Sequence, residues 1–194
     1  IFHSLKKVLN SDRAFEYLMK QAGLSLDMSS LSADEEKAKD EIRARAKELT
    51  SKQKANWCRG RLGQVIDGTG RDFKKIQRLR QDYEEMGYDT YMVFVNTSLD
   101  VAQQRNQERD RVLPPALLKK SWTDVQRNIG KFQSLFKSNF VIVDNSDYLD
   151  EEDAKRKFVP LMKRNINVFV KKPIRNPIAK MWIKKQQILK KKGK

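Results

Sequence analysis

The stretch Val65-Ile66-Asp67-Gly68-Thr69-Gly70-Arg71 decides how the rest of the chain is interpreted. Two apolar β-branched residues run directly into a turn with two glycines, and a helical pattern follows over about 73–86. The glycines let the backbone approach a ligand closely and supply dihedral angles that other residues avoid. A strand that ends in such a turn and continues as a helix is typical of the parallel sheets of α/β proteins.

Three other short segments predict strands of the same sheet. They lie at 7–10, 91–95 and 140–144. The last two are apolar without alternation, as expected for strands that are covered on both faces. Helices are predicted at about 12–21, 32–59, 73–86, 99–109, 114–136 and 151–165. This order predicts an α/β fold with three layers, in which a parallel sheet is flanked by helices.

The longest predicted helix has a clear start. Ser32 is followed three residues later by Glu35, which is the spacing of a capping box. The apolar side of this helix is predicted to carry Ile42, Ala46, Leu49 and Trp57.

Polar clusters follow three of the predicted strands. They are Asn10-Ser11-Asp12, the 67–71 turn and Asp144-Asn145-Ser146. Ligands of open parallel sheets bind outside the carboxyl ends of the strands. We therefore expect the three clusters to line one edge of the sheet and to form the functional site.

Composition excludes several classes of protein. The 194 residues include one cysteine and one histidine, which excludes an internal disulfide and argues against a Cys/His zinc site or a histidine-dependent hydrolase. No metal-ligand cluster is predicted. No run approaches the ~20 apolar residues that span a bilayer, so no membrane insertion is expected. The groups that remain available for a functional site are carboxylates, arginines, lysines and hydroxyls. These groups suit the binding and transfer of phosphate.

The net charge of +16 is concentrated at one end. Residues 171–194 contain nine Lys, one Arg and no acidic residue. We therefore divide the chain into a domain at 1–170 and a basic C-terminal tail at 171–194, where an amphipathic helix is predicted after Pro177. Such a tail contacts nucleic acid, an acidic partner or a membrane surface, or serves only as a solvated, partly helical segment.

The motifs resemble those of zeta-toxin-like kinases. The 65–71 stretch, a helix and then Gly87-Tyr88-Asp89-Thr90-Tyr91-Met92 are similar to that family's acidic-Gly-Thr-Gly-Arg turn and Gly-Tyr-x-Thr-x-Met strand entry. The segment 8–15 looks like the strand that ends in the catalytic aspartate, and 105–114 looks like the arginine-bearing lid. The resemblance covers about 5–146, and small phosphotransferases of tailed phages are the relatives it suggests.

The resemblance implies a P-loop kinase that uses ATP or GTP with Mg²⁺ and phosphorylates a hydroxyl of a small-molecule or nucleotide substrate. By matching position, the catalytic residues would be Asp12 as general base with Arg105 and Arg111 on the transferring phosphoryl group. The acceptor would be held by Asp67, Thr69 and Arg71. The nucleotide would be contacted by Arg109, Asp144 and Asn145. The expected location is the cytoplasm, or the host cytoplasm for a phage protein.

Each of these residues also has a structural interpretation. Asp12 stands where a helix cap is needed. The arginines of 105–111 alternate with Glu108 and Asp110, which is equally typical of a surface ion-pair network. The 67–71 stretch alone is compatible with a polar turn.

The family's phosphate-binding loop, G-x-x-x-x-G-K-[ST], does not occur in the 194 residues. It belongs just before the 7–10 strand, so 1–4 would be the end of its helix or the link after it. One explanation is truncation, with the first strand and loop on ~20–30 upstream residues, the length of a strand–loop–helix unit. The other is a degenerate kinase that now binds a partner. In both cases this chain alone is expected to lack kinase activity.

A second class of function stays open beside the kinase. The basic tail is also typical of a nucleic-acid-associated protein, either a polynucleotide kinase relative or a non-catalytic binder.

Overall fold

A computed structural model describes residues 7–27, 31–109 and 111–192. The prediction about 1–4, and the Asp110 part of the predicted lid, lie outside these residues. The protein is a mixed α/β structure, mostly helical, with two small parallel sheets. The four predicted strands therefore form, within the described residues, two separate pairs rather than one sheet.

The helices and strands follow the predicted order closely. The strands are β1 (Val8–Leu9), β2 (Val65–Ile66), β3 (Met92–Asn96) and β4 (Phe140–Asp144). The helices are α1 (Ser11–Gln21), α2 (Ala33–Arg59), α3 (Phe73–Glu85), α4 (Leu99–Gln107), α5 (Pro115–Phe136), α6 (Glu151–Val170) and α7 (Pro177–Lys192). The chain divides into two compact units, unit 1 within 1–69 and 103–120, and unit 2 within 70–102 and 121–194.

Unit 1 is built on a helix pair beside a short parallel strand pair. β1 pairs with β2 in the register Val8 with Val65 and Leu9 with Ile66. Phe15 and Met19 of α1, four residues apart, are both buried and pack with Ala46 of α2. Burial of each of these two large side chains contributes roughly 1.5–3 kcal/mol, which makes this cluster the core of the unit.

The capping box of α2 is confirmed, but its apolar side is shorter than predicted. Glu35 donates its backbone N–H to Ser32 Oγ over 3.3 Å, and Ser32 donates its own N–H back to Glu35 Oε2 over 2.9 Å. Ala46 is buried, whereas Leu49 is 46% exposed. The reason is length: α1 spans about 16 Å and α2 about 40 Å, so α1 covers only part of its partner.

Unit 2 centres on aromatic residues packed against the second strand pair. β3 pairs with β4 in parallel, from Met92 with Phe140 to Asn96 with Asp144. Phe94, Phe132 and Phe136 form the core. Val95 and Ile142 are 52% and 48% exposed, so the prediction that both faces are covered is wrong for them. Side chains project from the two faces of a strand, so each face of this pair is covered only in part.

Helix α6 continues five residues beyond its predicted end. It runs through Pro160 to Val170, although an internal proline removes one helical hydrogen bond. Phe169, 7% exposed, stacks on Tyr91 with ring centroids 4.7 Å apart. This tertiary contact stabilises the last turn, which local propensity did not predict.

Candidate functional site

The carboxyl ends of β1 and β2 are joined by one side chain, Asn10. Its Nδ2 donates to Oδ2 of Asp67 over 2.7 Å, and its Oδ1 accepts from the backbone N–H of Asp12 over 2.7 Å. Asn10 is therefore the N-cap of α1, and the interpretation of Asp12 as that cap is wrong. Within unit 1, this amide connects the 10–12 cluster with Asp67, the first residue of the 67–71 cluster.

The carboxylate of Asp12 is paired with two arginines that are distant in sequence. Nη1 of Arg43, on α2, lies 2.7 Å from Oδ1 of Asp12, and Nη1 of Arg111 lies 3.1 Å from the same oxygen. Arg111 also approaches Glu16, one turn along α1, at 3.5 Å. The arginine of the predicted lid thus contacts the predicted base.

An aromatic ring supports both guanidinium groups. Arg43 Cζ lies 3.6 Å from the ring centroid of Phe15, and Arg111 Cζ lies 5.8 Å from it. Phe15 itself is fully buried. A guanidinium stacked on an aromatic face is held by cation–π attraction and has fewer orientations available. The position of Arg43 over Asp12 is therefore fixed by the core of unit 1.

The segment that carries Arg111 is closed by a buried amide. Asn106 is 4% exposed, and its Nδ2 donates to the Leu113 carbonyl over 2.9 Å. Its Oδ1 accepts from the Leu113 N–H over 3.0 Å. This two-bond clamp brings the ends of the segment together. Of the other predicted arginines, Arg105 is half-buried in α4 and Arg109 is exposed beyond its end.

The charged surroundings keep Asp12 ionised. Partial burial acts to raise the pKa of Asp12, but the Arg43 hydrogen bond and the charge of Arg111 outweigh it, so the pKa lies below its usual value. Side-chain exposure is 47%, which means that water still reaches this carboxylate. An ionised and accessible carboxylate is able to accept a proton.

The predicted acceptor residues divide between the units. Asp67 and Thr69 lie in unit 1, and both are exposed. Arg71 lies in unit 2, where Asn128 of α5, 5% exposed, donates to the carbonyls of Gly70 over 3.2 Å and Arg71 over 2.8 Å.

Gly70 has a φ of +72°, so the glycine is required by the turn itself. The ring of Phe132 lies 3.5 Å from where a Cβ of Gly70 would be. The close neighbour of this glycine in the structure is therefore a core side chain.

The predicted nucleotide contacts Asp144 and Asn145 are engaged at the ends of β3 and β4. Asn145 donates its N–H to the Asn96 carbonyl over 2.8 Å, and its own carbonyl accepts from Thr97 Oγ1 over 3.0 Å. Asp144 Oδ1 accepts from Ser146 Oγ over 2.6 Å, and this hydrogen bond lowers the pKa of Asp144. These hydrogen bonds connect the ends of the two strands.

Sequence reasoning missed the residues that position the predicted ones. They are Arg43, Asn106 and Asn128, together with Asn10, which was predicted only as a member of a polar cluster. Asn10 carried a signal, since an asparagine that follows a strand and precedes a helix is a good N-cap. Arg43 lies beside the apolar positions 42 and 46, which placed it near the core but did not reveal its partner.

Unit 2 has two surface hollows. One, of about 460 Å³, is lined by Phe73 and by residues 130, 131, 134 and 135. The other, of about 520 Å³, is lined by Asp72 and by residues 74, 75, 78, 79 and 82 of α3. Neither contains a predicted site residue, so the chemistry of the strand ends, rather than these hollows, defines the candidate site.

No group of three or more His, Cys, Asp or Glu side chains is placed to hold a metal ion in the part of the chain that the structure describes. In the same residues, no helix has both the length and the apolar character needed to cross a membrane. Comparisons with protein-family models, curated proteins and solved structures found no match.

Proposed function

We propose that the protein is an ATP- or GTP-dependent phosphotransferase that acts on a hydroxyl-bearing small molecule or nucleotide. The observation that carries the proposal is the 3.1 Å contact between Arg111 and Asp12 at the carboxyl end of β1. The two residues are 99 positions apart, and the family resemblance predicts both as catalytic. The fold in this proposal is a P-loop kinase-type α/β domain, which the parallel pairs followed by helices support.

In this proposal Asp12 is the general base. Both arginine contacts fall on Oδ1, so we assign Oδ2 to the acceptor hydroxyl. The hydroxyl proton passes to Oδ2 as the acceptor oxygen bonds the γ-phosphorus and the bond to the nucleoside diphosphate breaks. Asp67, held by Asn10, accepts a hydrogen bond from a second hydroxyl of the acceptor.

Arg111 has two partners in this scheme. Its guanidinium lies on Asp12 and Glu16, and in the reaction it turns to the negative charge of the transferring phosphoryl group. Arg43 stays on Asp12, because the Phe15 ring holds it there. Arg105 belongs to the same segment as Arg111 and acts with it on that charge, and Arg109 binds the donor.

The described residues include the proposed base, the acceptor contacts and the arginines that act on the phosphates. Mg²⁺ would accompany the donor nucleotide and neutralise its phosphates, and we assign none of these residues to the ion. The proposal places the protein in the cytoplasm, where the donor nucleotides are available.

The test is phosphoryl transfer by the gene product that contains these 194 residues. Transfer from γ-³²P-labelled ATP or GTP is measured onto nucleosides, nucleotide sugars and oligonucleotide ends. Asp12→Asn is expected to lower kcat by about 10²–10⁴, as loss of a general base does. The matched control is Asp40→Asn on α2, whose carboxylate is 79% exposed, and it is expected to keep wild-type transfer.

Two results would reject the proposal. One is wild-type protein that transfers no label to any acceptor, which would leave the non-catalytic binding module as the interpretation. The other is Asp12→Asn with undiminished transfer, which would remove Asp12 as the base.

A further inference from the structure

All the net charge of unit 2 comes from one segment. Outside 171–194 the unit has thirteen basic and thirteen acidic side chains, whereas 171–194 has ten basic side chains and no acidic one. The segment contains α7, whose C-terminal half, 184–192, is exposed at every position. The charge is therefore displayed on a helix.

The start of this helix is held by a group of residues that we call the α7 socket: Glu84, Gly87, Tyr88 and Asp89. The Asp89 carboxylate accepts hydrogen bonds from the backbone N–H of Arg175 over 2.8 Å and from that of Asn176 over 3.0 Å. Asn176 Nδ2 donates to the carbonyls of Glu84 over 2.7 Å and Tyr88 over 3.2 Å.

Two further contacts fix the first turn. Asn176 Oδ1 accepts from the N–H of Ile178 over 2.9 Å. Gly87 has a φ of +100°, and a Cβ there would lie 3.2 Å from Cγ2 of Ile178, closer than side chains normally pack. The Gly-Tyr-Asp part of the 87–92 motif therefore has a structural task, which is to anchor α7.

The lysines of α7 surround the helix. At 3.6 residues per turn, Lys180, Lys184 and Lys191 share one side, and Lys190 lies on another. Lys185 and Lys192 fall among the exposed apolar residues. Those apolar residues are Ile178, Met181, Trp182, Ile188 and Leu189. A helix that lies in a membrane surface has one wide apolar face, which these two lysines interrupt.

We propose that α7 is a nucleic-acid-binding arm, whose lysines contact the phosphate backbone while the α7 socket fixes its direction. Charge complementarity carries this assignment, because every charged side chain of the segment is positive and a nucleic acid backbone presents closely spaced negative charges. The contacts are independent of base sequence. The proposal does not depend on phosphoryl transfer by unit 1.

The test measures binding of the full chain to a fluorescein-labelled 20-nucleotide oligothymidine by fluorescence anisotropy at several salt concentrations. Replacing Lys184, Lys185, Lys191 and Lys192 by Gln is expected to weaken binding at least tenfold near 0.1 M salt. Binding constants of such complexes fall with salt, and each lost phosphate contact makes the negative slope of log K against log salt shallower by about 0.7. The four replacements are therefore expected to make the slope shallower by about 3. The replaced side chains are exposed, so the variant keeps its fold.

The matched control replaces Met181 and Leu189 by Ser, which removes exposed apolar surface from the same helix and leaves every lysine. This variant is expected to bind the oligonucleotide within about threefold of wild type, because apolar surface adds nothing to a phosphate contact. Vesicles of phosphatidylcholine with phosphatidylglycerol test the membrane as the alternative partner. Absence of oligonucleotide binding, or binding that depends on Met181 and Leu189 rather than on the lysines, would overturn the proposal.

A variant that loosens α7 from the α7 socket tests the direction of the arm separately from its charge. Asn176→Ala removes three hydrogen bonds of the anchor and no charge. Affinity is expected to fall about two- to fivefold, because a loosened arm loses more freedom on binding, while the salt slope stays unchanged. An unchanged affinity would reject the role of the socket in the arm.

Discussion

The two strand pairs end in different chemistry. At the ends of β1 and β2 the side chains are charged, with the Asp12 carboxylate against Arg43 and Arg111. At the ends of β3 and β4 the contacts are mostly neutral, between amides, hydroxyls and backbone groups of residues 96–97 and 144–146. Both pairs are parallel, and an α-helix begins within three residues of β1 and of β3.

The difference lies in which groups hold the polar side chains at the strand ends. The backbone N–H of Asn145 donates to the Asn96 carbonyl at the end of the neighbouring strand, and the Asp144 carboxylate accepts hydrogen bonds from Ser146. In unit 1, by contrast, the strand-end carboxylates are held by side chains from α1, α2 and the segment after α4. The proposed phosphoryl transfer uses these carboxylates and Arg111.

The largest expected effect comes from the aromatic support of the charged cluster. Phe15→Ala is expected to cost about 3–5 kcal/mol of unfolding free energy, measured by urea denaturation. Phe132→Ala in unit 2 removes an equally buried ring and is expected to cost about the same. The two variants differ in titration: only Phe15→Ala should shift the Asp12 pKa, followed by NMR, because Arg43 and Arg111 lose their platform. An equal shift in both variants would contradict the comparison.

A smaller effect is expected from the clamp that closes the Arg111 segment. Asn106→Ala leaves both backbone groups of Leu113 without their partner, which costs roughly 1–3 kcal/mol when such groups stay buried. Limited proteolysis should then cut within 107–112 faster than in wild type. The control is Gln107→Ala, an exposed neighbour on α4, for which unchanged proteolysis is expected. Equal cleavage rates in all three proteins would show that the clamp does not hold the segment.

The smallest effect is the pH dependence of stability. Because the folded pKa of Asp12 is depressed, its ion pairs stabilise the protein above the unfolded pKa of about 3.9. That contribution is lost as the pH falls through the lower folded value. For a carboxylate that is half exposed it amounts to about 1 kcal/mol or less. Urea denaturation at pH 7 and pH 3 should show a smaller difference for Asp12→Asn than for wild type. An identical difference would mean that the arginines do not stabilise the ionised form.

Local chemistry made much of the fold predictable. The capping box at Ser32 and Glu35 depends only on residues three apart, and Gly87 ends α3 because its φ is positive. The failures required distant contacts. The extension of α6 depends on Phe169 meeting Tyr91, and the exposure of Leu49 depends on how far α1 reaches.

The candidate site divides in the same way. Asp12 and Asp67 were expected at the site from their places after strands, whereas Arg111 was expected there only from the family resemblance of its segment. Their partners were not predicted, because Arg43 lies 31 residues from Asp12 and no local pattern connects the two. The role of a buried amide such as Asn106 is equally unpredictable from the sequence, because it depends on the hydrogen bonds with Leu113 that only the folded structure shows.

The central claim is that Asp12 is a base whose pKa is set by its arginines, and the pH profile of phosphoryl transfer tests it most directly. The initial rate of label transfer by the gene product that contains these 194 residues, as wild type and as Arg43→Gln, is measured from pH 2.5 to pH 8. The account predicts an acid limb that Arg43→Gln moves to higher pH, because the carboxylate loses a cation that favours its charged form. An acid limb at the same pH in both proteins would contradict it.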